Sequence, residues 1–310
     1  MQATLKKMVT FAGVGLHSGA PARLDIHPAP ADHGIVFRRA DLDPAVDIVA
    51  RWDNVTPSKL CTLLDNGAGV TLSTVEHVMA ALAGTGIHNA LIVVDGPEIP
   101  ILDGSAAPFV RGILRAGIAM QSAQLRAIRV LRPVEVREGA AFARLSPADH
   151  LEIEFHIDFV DAAIGRQQKT LDMANGAFLR ELADSRTFCR QADVDAMRKN
   201  GLALGGTYTN AVVVDGAQVL SPGGLRHTDE AVRHKMLDAM GDLALAGAPL
   251  LARYTGHRAG HAMTNRLLRA LFADPTAWTW ETCSPALEDR LPGAGVAAYK
   301  ELAGIEMAAL

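Results

Sequence analysis

The sequence predicts an α+β protein built from two layered units. Each half begins with a run of strand-like segments and ends with helix-like ones, the order that favours helices packed on one face of a largely antiparallel sheet. This arrangement occurs twice in 310 residues, which is long enough for two domains of ordinary size with separate cores. No fixed-period repeat or low-complexity stretch interrupts it.

Composition narrows the function classes. Hydrophobic residues make up 49% and charged residues 21%, and the formal net charge is -4, so the chain lacks the basic footprint of a nucleic-acid binder. Cys61, Cys189 and Cys283 are far apart, with no C-x-x-C pair, which argues against a disulfide framework and for a reducing, cytoplasmic setting. No apolar run reaches the ~18 to 20 residues of a membrane span. Peripheral contact with the inner membrane surface stays open, and a monomer is expected.

Taken in order, Lys6 and Lys7 precede MVTFAGVGL, which superficially resembles an export signal. The stretch is short and glycine-rich and runs into HSGAPARLDIHP, which alternates as a strand does, so a strand is expected. ARLDIHP and NALIVVDG read as strands. STVEHVMAALAGTG reads as a helix: Ser73 or Thr74 caps it, Glu76 takes the capping-box position, and Gly84 and Gly86 end it. MQSAQLRAIRV reads as a linker into a fresh strand, placing a boundary near 120–126. Strands and turns follow, then helices at about 175–184, 230–246 and 260–272. Residues 189–217 hold GLALGGTYTNAVVVDG, a glycine-hinged apolar segment read as an insertion. The expected division is a first domain over 1–122, a second over 123–285 and a C-terminal tail over 286–310.

The chemistry concentrates in HKMLDAMGD. His234, Asp238 and Asp242 recur every fourth residue, so on a helix they form one stripe drifting about 40° per step, while Met236, Leu237 and Met240 supply the apolar face. His234 and Asp238 at i and i+4 can reach one metal ion from adjacent turns. No cysteine is near, so a third nitrogen or oxygen ligand from elsewhere would leave a fourth position for water, as a catalytic zinc requires. His77 is the best third ligand, a polar residue inside an apolar helix where it is costly without a partner. Glu76 beside it could face a bound water as general base. His261, opening the helix of GHAMTNRLLRAL, could be held charged by Asp242 and donate a proton or stabilise an oxyanion.

Each residue also has a plainer reading. His234 and Asp238 suit a surface pair, Glu76 a capping partner, His261 a helix cap, Lys235 a solvated charge and Thr187 a strand threonine. Periodicity alone reaches only a metallohydrolase.

Several segments also resemble one family closely: GVGLHSG, LCTLL around Cys61, TVEHVMAALAGTGIHNALIVVDGPEIPILDGSAAPFV, SRTFC, GLALGGTY, VRHKMLDAMGDLALAG and GHAMTNRLLRAL. In that order, over nearly the whole chain, they resemble the zinc-dependent UDP-3-O-acyl-N-acetylglucosamine deacetylases of lipid A biosynthesis. The resemblance implies two similar α+β sandwiches packed face to face, each with a small insert, and an active site between them. It implies zinc ligands at His77, His234 and Asp238, a general base at Glu76, and a second catalytic group at His261 paired with Asp242. Thr187 and Lys235 match residues near the reacting carbonyl and the substrate. Cys61, Phe188, Gly206 and Tyr208 fall in motifs assigned to substrate binding, and the 189–217 insert to a hydrophobic passage for the acyl chain, for which Leu202, Leu204, Ala211 and Val213 are candidate linings. Where the family often carries glycine after R-T-F, this chain has Cys189, which bears on passage shape.

The implied reaction removes the N-acetyl group from a UDP-linked, 3-O-acylated glucosamine in a Gram-negative type of cell, the committed step of lipopolysaccharide lipid A synthesis. Glu76 is expected to take the proton of the attacking water, with zinc, Thr187 and protonated His261 holding the oxyanion. Two rivals remain at this stage. A two-histidine, one-carboxylate set also suits Fe(II), as in non-haem iron enzymes, and a non-catalytic nucleotide-sugar or acyl-chain binding protein could carry a structural metal.

Overall fold

The computed structural model describes residues 1–58 and 60–296. In the first half, β1 (Ala3–Leu5), β2 (Val9–Val14), β3 (Pro21–Pro28), β4 (Ile35–Arg39) and β5 (Val46–Val49) lead into the short strands β6 (Val55–Thr56), β7 (Leu63–Asp65) and β8 (Thr71–Ser73). Helix α1 (Glu76–Gly84), β9 (Ala90–Val94), α2 (Ala107–Ala116) and β10 (Ile118–Met120) follow. The main sheet has the order β2-β3-β9-β4-β5, antiparallel except for the β4–β9 pair. The export-like stretch is strand β2. Along β3, Ala22, Leu24 and Ile26 point inward while Pro21 and Arg23 point out, the period of 2 that a half-buried strand dictates. That inner face packs Leu24, Ile26, Phe37 and Ile92 with Val78 and Leu82 of α1 and Phe109 and Ile113 of α2 in one apolar core. β6, β7 and β8 form a small antiparallel sheet of their own.

The second half repeats the plan on a larger sheet. Its strands are β11 (Arg126–Val130), β12 (Val134–Glu138), β13 (Ala141–Pro147), β14 (Glu152–Asp158) and β15 (Arg166–Asp172). After these come β16 (Phe188–Arg190), α3 (Gln191–Lys199), β17 (Val212–Asp215), β18 (Gln218–Val219), α4 (Glu230–Ala244), β19 (Leu250–His257), α5 (His261–Ala273), β20 (Trp278–Thr282) and α6 (Pro285–Glu288). β19 is the central strand, antiparallel to β13 and parallel to β14 and to β11, which continues to β20. Helices α4 and α5 lie on this sheet.

The two halves meet along α1 and α4. Gly241 of α4 makes that approach possible: a Cβ there would lie 2.0 Å from the carbonyl oxygen of Glu76, so only glycine lets the helices touch through backbone. This contact brings the first turn of α1 beside the middle of α4.

Two expectations need correction, on the helix at 175–184 and on the capping box of α1, and two segments gain detail. The helix expected at 175–184 is a single π-helical turn over Phe178–Leu182, because Asn175 and Gly176 both take left-handed conformations (φ 55° and 68°) that cannot continue a right-handed helix. The 189–217 segment is more regular than expected: β16 and β17 are parallel, and α3 is the crossover such a pair requires. The sequence masks α3 because its residues are mostly polar and only Val194 is buried. The capping box of α1 does not form: the flanking residue is Val75, Thr74 turns its hydroxyl to Glu98 (3.3 Å), and the Glu76 carboxylate accepts from the Thr62 amide (3.1 Å). Finally, the described part of the C-terminal tail, residues 286–296, packs on the fold. Leu291 and Val296 are buried, and Gly293 lies so close to Gly86 that a Cβ on it would be 2.3 Å from the Gly86 amide nitrogen. The remaining tail positions, 297–310, lie outside the described residues. Among the described residues no helix is long and apolar enough to cross a membrane.

Candidate metal centre

The stripe on α4 is buried rather than solvated. His234, Asp238 and Asp242 are each at most 5% exposed, and Met236, Leu237 and Met240 fill the opposite bearings of the core as expected. A buried carboxylate or imidazole needs a partner. α1 supplies His77, also buried, through the close contact at Gly241.

One ligand atom from each of His77, His234 and Asp238 falls within 4.8 Å of the other two. His234 Nε2 is 3.2 Å and His77 Nε2 3.7 Å from Asp238 Oδ1, and the two imidazole rings cross at 87° with centroids 5.1 Å apart. The other ring nitrogen of His234, Nδ1, donates to the Ser185 carbonyl (2.9 Å), which leaves the Nε2 lone pair free to face the cluster. Burial lowers the His77 pKa to about 3, so that imidazole is neutral at physiological pH. A neutral imidazole at His77, a second imidazole oriented by a backbone carbonyl at His234 and the ionised Asp238 carboxylate, converging in a dry site, are the donor set of a divalent transition-metal ion. A surface ion pair would be exposed, which excludes the plainer reading of His234 and Asp238.

Asp238 divides its two oxygens. Oδ1 faces the imidazoles, while Oδ2 accepts from Lys235 Nζ (2.7 Å) and lies 3.8 Å from His261 Nε2. Burial opposes its ionisation, but His234, Lys235 and His261 outweigh that and hold it well below the usual carboxylate range. Lys235 in turn loses solvation through burial, and the carboxylates of Asp238, Asp242 and Glu76 more than restore its charge. Lys235 is therefore part of the cluster, not a solvated charge.

Glu76 and His261 face each other across the same space, Oε1 to Nε2 at 3.9 Å. Burial, with the nearby Asp238 and Asp242 charges, pushes the Glu76 pKa up to about 7 against the pull of His261. His261 is 12% exposed at its side chain and hydrogen-bonds Asp242, Nδ1 to Oδ2 at 2.8 Å. Burial would discharge this imidazole, but Asp242, Asp238 and Glu76 outweigh it and raise its pKa to about 9. A carboxylate poised near neutrality opposite a stably charged imidazole has the properties that a proton acceptor and a proton donor on one site require.

Thr187 stands two residues beyond the Ser185 carbonyl that orients His234. Its amide donates to Gly104 (2.8 Å), tying the second half to the first. The Phe188 ring lies edge-on to that of His234, centroids 6.3 Å apart. Cys61 is buried with Sγ 3.8 Å from Ser58 Oγ, and burial and the Glu76 charge push its thiol up to about 11, so it is a neutral wall beside Glu76. The passage candidates separate into two environments. Ala211 and Val213 are buried at β17, whereas Leu202, Leu204 and Tyr208 are exposed on the loop after α3. That loop docks on the first half, with the Leu204 amide on His17 O (3.2 Å), the Gly205 amide on Leu16 O (3.1 Å) and Gly206 packed near Leu16. None of these residues lines the large cavity of about 690 Å³ elsewhere in the molecule.

Two contributors escaped the sequence reading. The Thr62 amide donates to Glu76 and its hydroxyl to Asp242, linking the two carboxylates. The Ser185 carbonyl fixes His234. Thr62 is 180 positions from Asp242, and a backbone carbonyl leaves no side-chain signature; nothing in the spacing pointed to either.

The LpxC family model, UDP-3-O-acyl N-acetylglycosamine deacetylase, matches residues 2–273. The chain is 48% identical over 283 residues to a UDP-3-O-acyl-N-acetylglucosamine deacetylase of Idiomarina loihiensis, covering 91% of this chain and 92% of that one. It is 47% identical over 279 residues to the protein of the same name from Shewanella frigidimarina, covering 89% and 91%.

Proposed function

Because the chain belongs to the UDP-3-O-acyl N-acetylglycosamine deacetylase family, we propose that it hydrolyses the N-acetyl group of UDP-3-O-acyl-N-acetylglucosamine, releasing acetate and a free amine. The observation that carries this reading is the convergence of His77, His234 and Asp238 from two helices, with Glu76 and His261 facing each other beside them. We take the metal to be zinc, the pathway to be the committed step of lipid A synthesis, the setting to be cytoplasmic, and residues 1–122 and 123–285 to be the two domains.

His77, His234 and Asp238 would hold the ion. When bound, it supplies Lewis acidity that brings the pKa of water from about 15.7 to about 7 and polarises the amide carbonyl. Glu76, ionised above about pH 7, accepts the proton of the attacking water at Oε1 or Oε2. His261 carries its proton at Nε2, positioned by Asp242, and with Thr187 stabilises the oxyanion. The departing nitrogen receives its proton from His261 or from Glu76 returning the one it took. Lys235 keeps the Asp238 carboxylate aligned through Oδ2. Glu76 favours hydrolysis over iron oxygenase chemistry, which has no need of a base on water. The exposed Leu202, Leu204 and Tyr208, with buried Ala211 and Val213, are our candidates for holding the acyl chain.

Acetate release from UDP-3-O-acyl-N-acetylglucosamine, measured with and without a chelator, tests the proposal. We expect release that stops on chelation and returns with one equivalent of divalent metal. Retained metal with no acetate formed would leave only a binding protein.

A further inference from the structure

A second site is built into the reverse side of the same two helices. His77 and Met79 on α1 are two residues apart, and so are Asp238 and Met240 on α4, which places each pair about 200° apart around its helix. The ligands therefore face one side of the α1–α4 contact and the methionines the other. On that other side lies the cavity of about 690 Å³, bounded by both halves of the chain. Met79, Leu82, Met240 and Leu243, all nearly fully buried, are its apolar lining from α1 and α4. Its volume lies inside the ~300 to 1,000 Å³ range of small-molecule sites.

Two arginines stand at its mouth. Arg51 and Arg126 are exposed lining residues, and Arg126 makes no ion pair among the described residues, its guanidinium lying 4.7 Å over the Trp280 ring. Arg51 is held by Asp53 in a two-point guanidinium–carboxylate pair, so Arg126 is the arginine that remains for an incoming anion. The one acidic lining residue, Asp32, lies on the side of the cavity where it accepts from the Gln2 side chain (2.6 Å). An apolar floor from two helices with one unpaired arginine at the mouth fits an apolar chain carrying one carboxylate.

We propose that this cavity binds a single-chain fatty acid, carboxylate at Arg126 and chain against Met79, Leu82, Met240 and Leu243, and that occupancy alters metal affinity through α1 and α4. The metal effect, though not the binding, rests on the reading of His77, His234 and Asp238 as ligands.

Calorimetric titration of the full chain with octanoate, decanoate and dodecanoate, each below its micelle concentration, tests the binding. Affinity should rise by up to about fourfold per methylene, and Arg126→Glu and Ala244→Phe should each weaken dodecanoate at least tenfold. Arg126 is exposed, so its variant stays informative if Ala244→Phe fails to fold. Dodecanoate affinity unchanged in Arg126→Glu would place the chain elsewhere, including any acyl passage at the metal centre, and overturn the proposal. Saturating dodecanoate should shift the zinc dissociation constant at least fivefold in the wild type and not in Arg126→Glu; an unchanged constant would overturn the effector role. If the chain holds no metal, the titration still reads the cavity.

Discussion

Asp242 and His261 stand 2.8 Å apart, Oδ2 to Nδ1, and the other Asp242 oxygen accepts from the Thr62 hydroxyl. One carboxylate thus both orients the imidazole toward Glu76 and favours its charged form. Replacing Asp242 by Asn removes the charge while keeping the size. The pH at which His261 loses its proton should fall, and the alkaline limb of kcat should move to lower pH. An unmoved limb would separate His261 from that titration.

The full pH profile has a sign that follows from the two raised pKa values. Glu76 must be deprotonated to accept a proton, so activity rises with pH through about 7, and His261 must be protonated to donate, so activity falls through about 9. A divalent cation bound beside them lowers both limits without changing the order. A bell-shaped rate profile is expected in a pH series, and a profile that only rises would remove the acid role of His261.

Removing either proton-transfer group should leave the metal in place. Glu76→Ala and His261→Ala should each reduce kcat by roughly 10² to 10⁴-fold with metal content unchanged, as read by steady-state kinetics beside metal analysis. Full activity in His261→Ala would reassign its role.

Much of this centre was legible because it obeys local rules. The i, i+4 stripe of His234, Asp238 and Asp242 needs only helical periodicity, and His77 is conspicuous as a polar residue in an apolar helix. What was not legible depends on tertiary approach. Glu76 satisfies the capping-box spacing, and only the position of Thr62 shows that its carboxylate is turned to the site instead. The left-handed pair Asn175–Gly176 cuts a helix that apolar spacing alone favours, and the polar surface of α3 hides a crossover helix. Residues up to Val296 look unplaced in sequence because their packing partners, Gly86 among them, are some two hundred positions away.

The α1–α4 contact is where fold and site coincide. Gly241→Ala would force a methyl group into the Glu76 carbonyl, so the helices must separate. A loss of roughly 1 to 3 kcal/mol in stability is expected, the usual cost of overpacking, together with weakened metal binding. Thermal unfolding with and without added metal measures both. A variant as stable as the wild type would show that the contact tolerates side chains.

Substrate handling rests on burial of the acyl chain, at about 0.8 kcal/mol per methylene removed from water. Shortening that chain on a synthetic substrate should raise KM and lower kcat/KM steeply. Equal kcat/KM for short and long chains would remove the passage.

The most direct test is metal stoichiometry of the purified protein and of His77→Ala, His234→Ala and Asp238→Ala, measured side by side. One divalent ion per chain is expected in the wild type, with a marked loss in each of the three variants. Full occupancy in His77→Ala would contradict a site shared between the two helices.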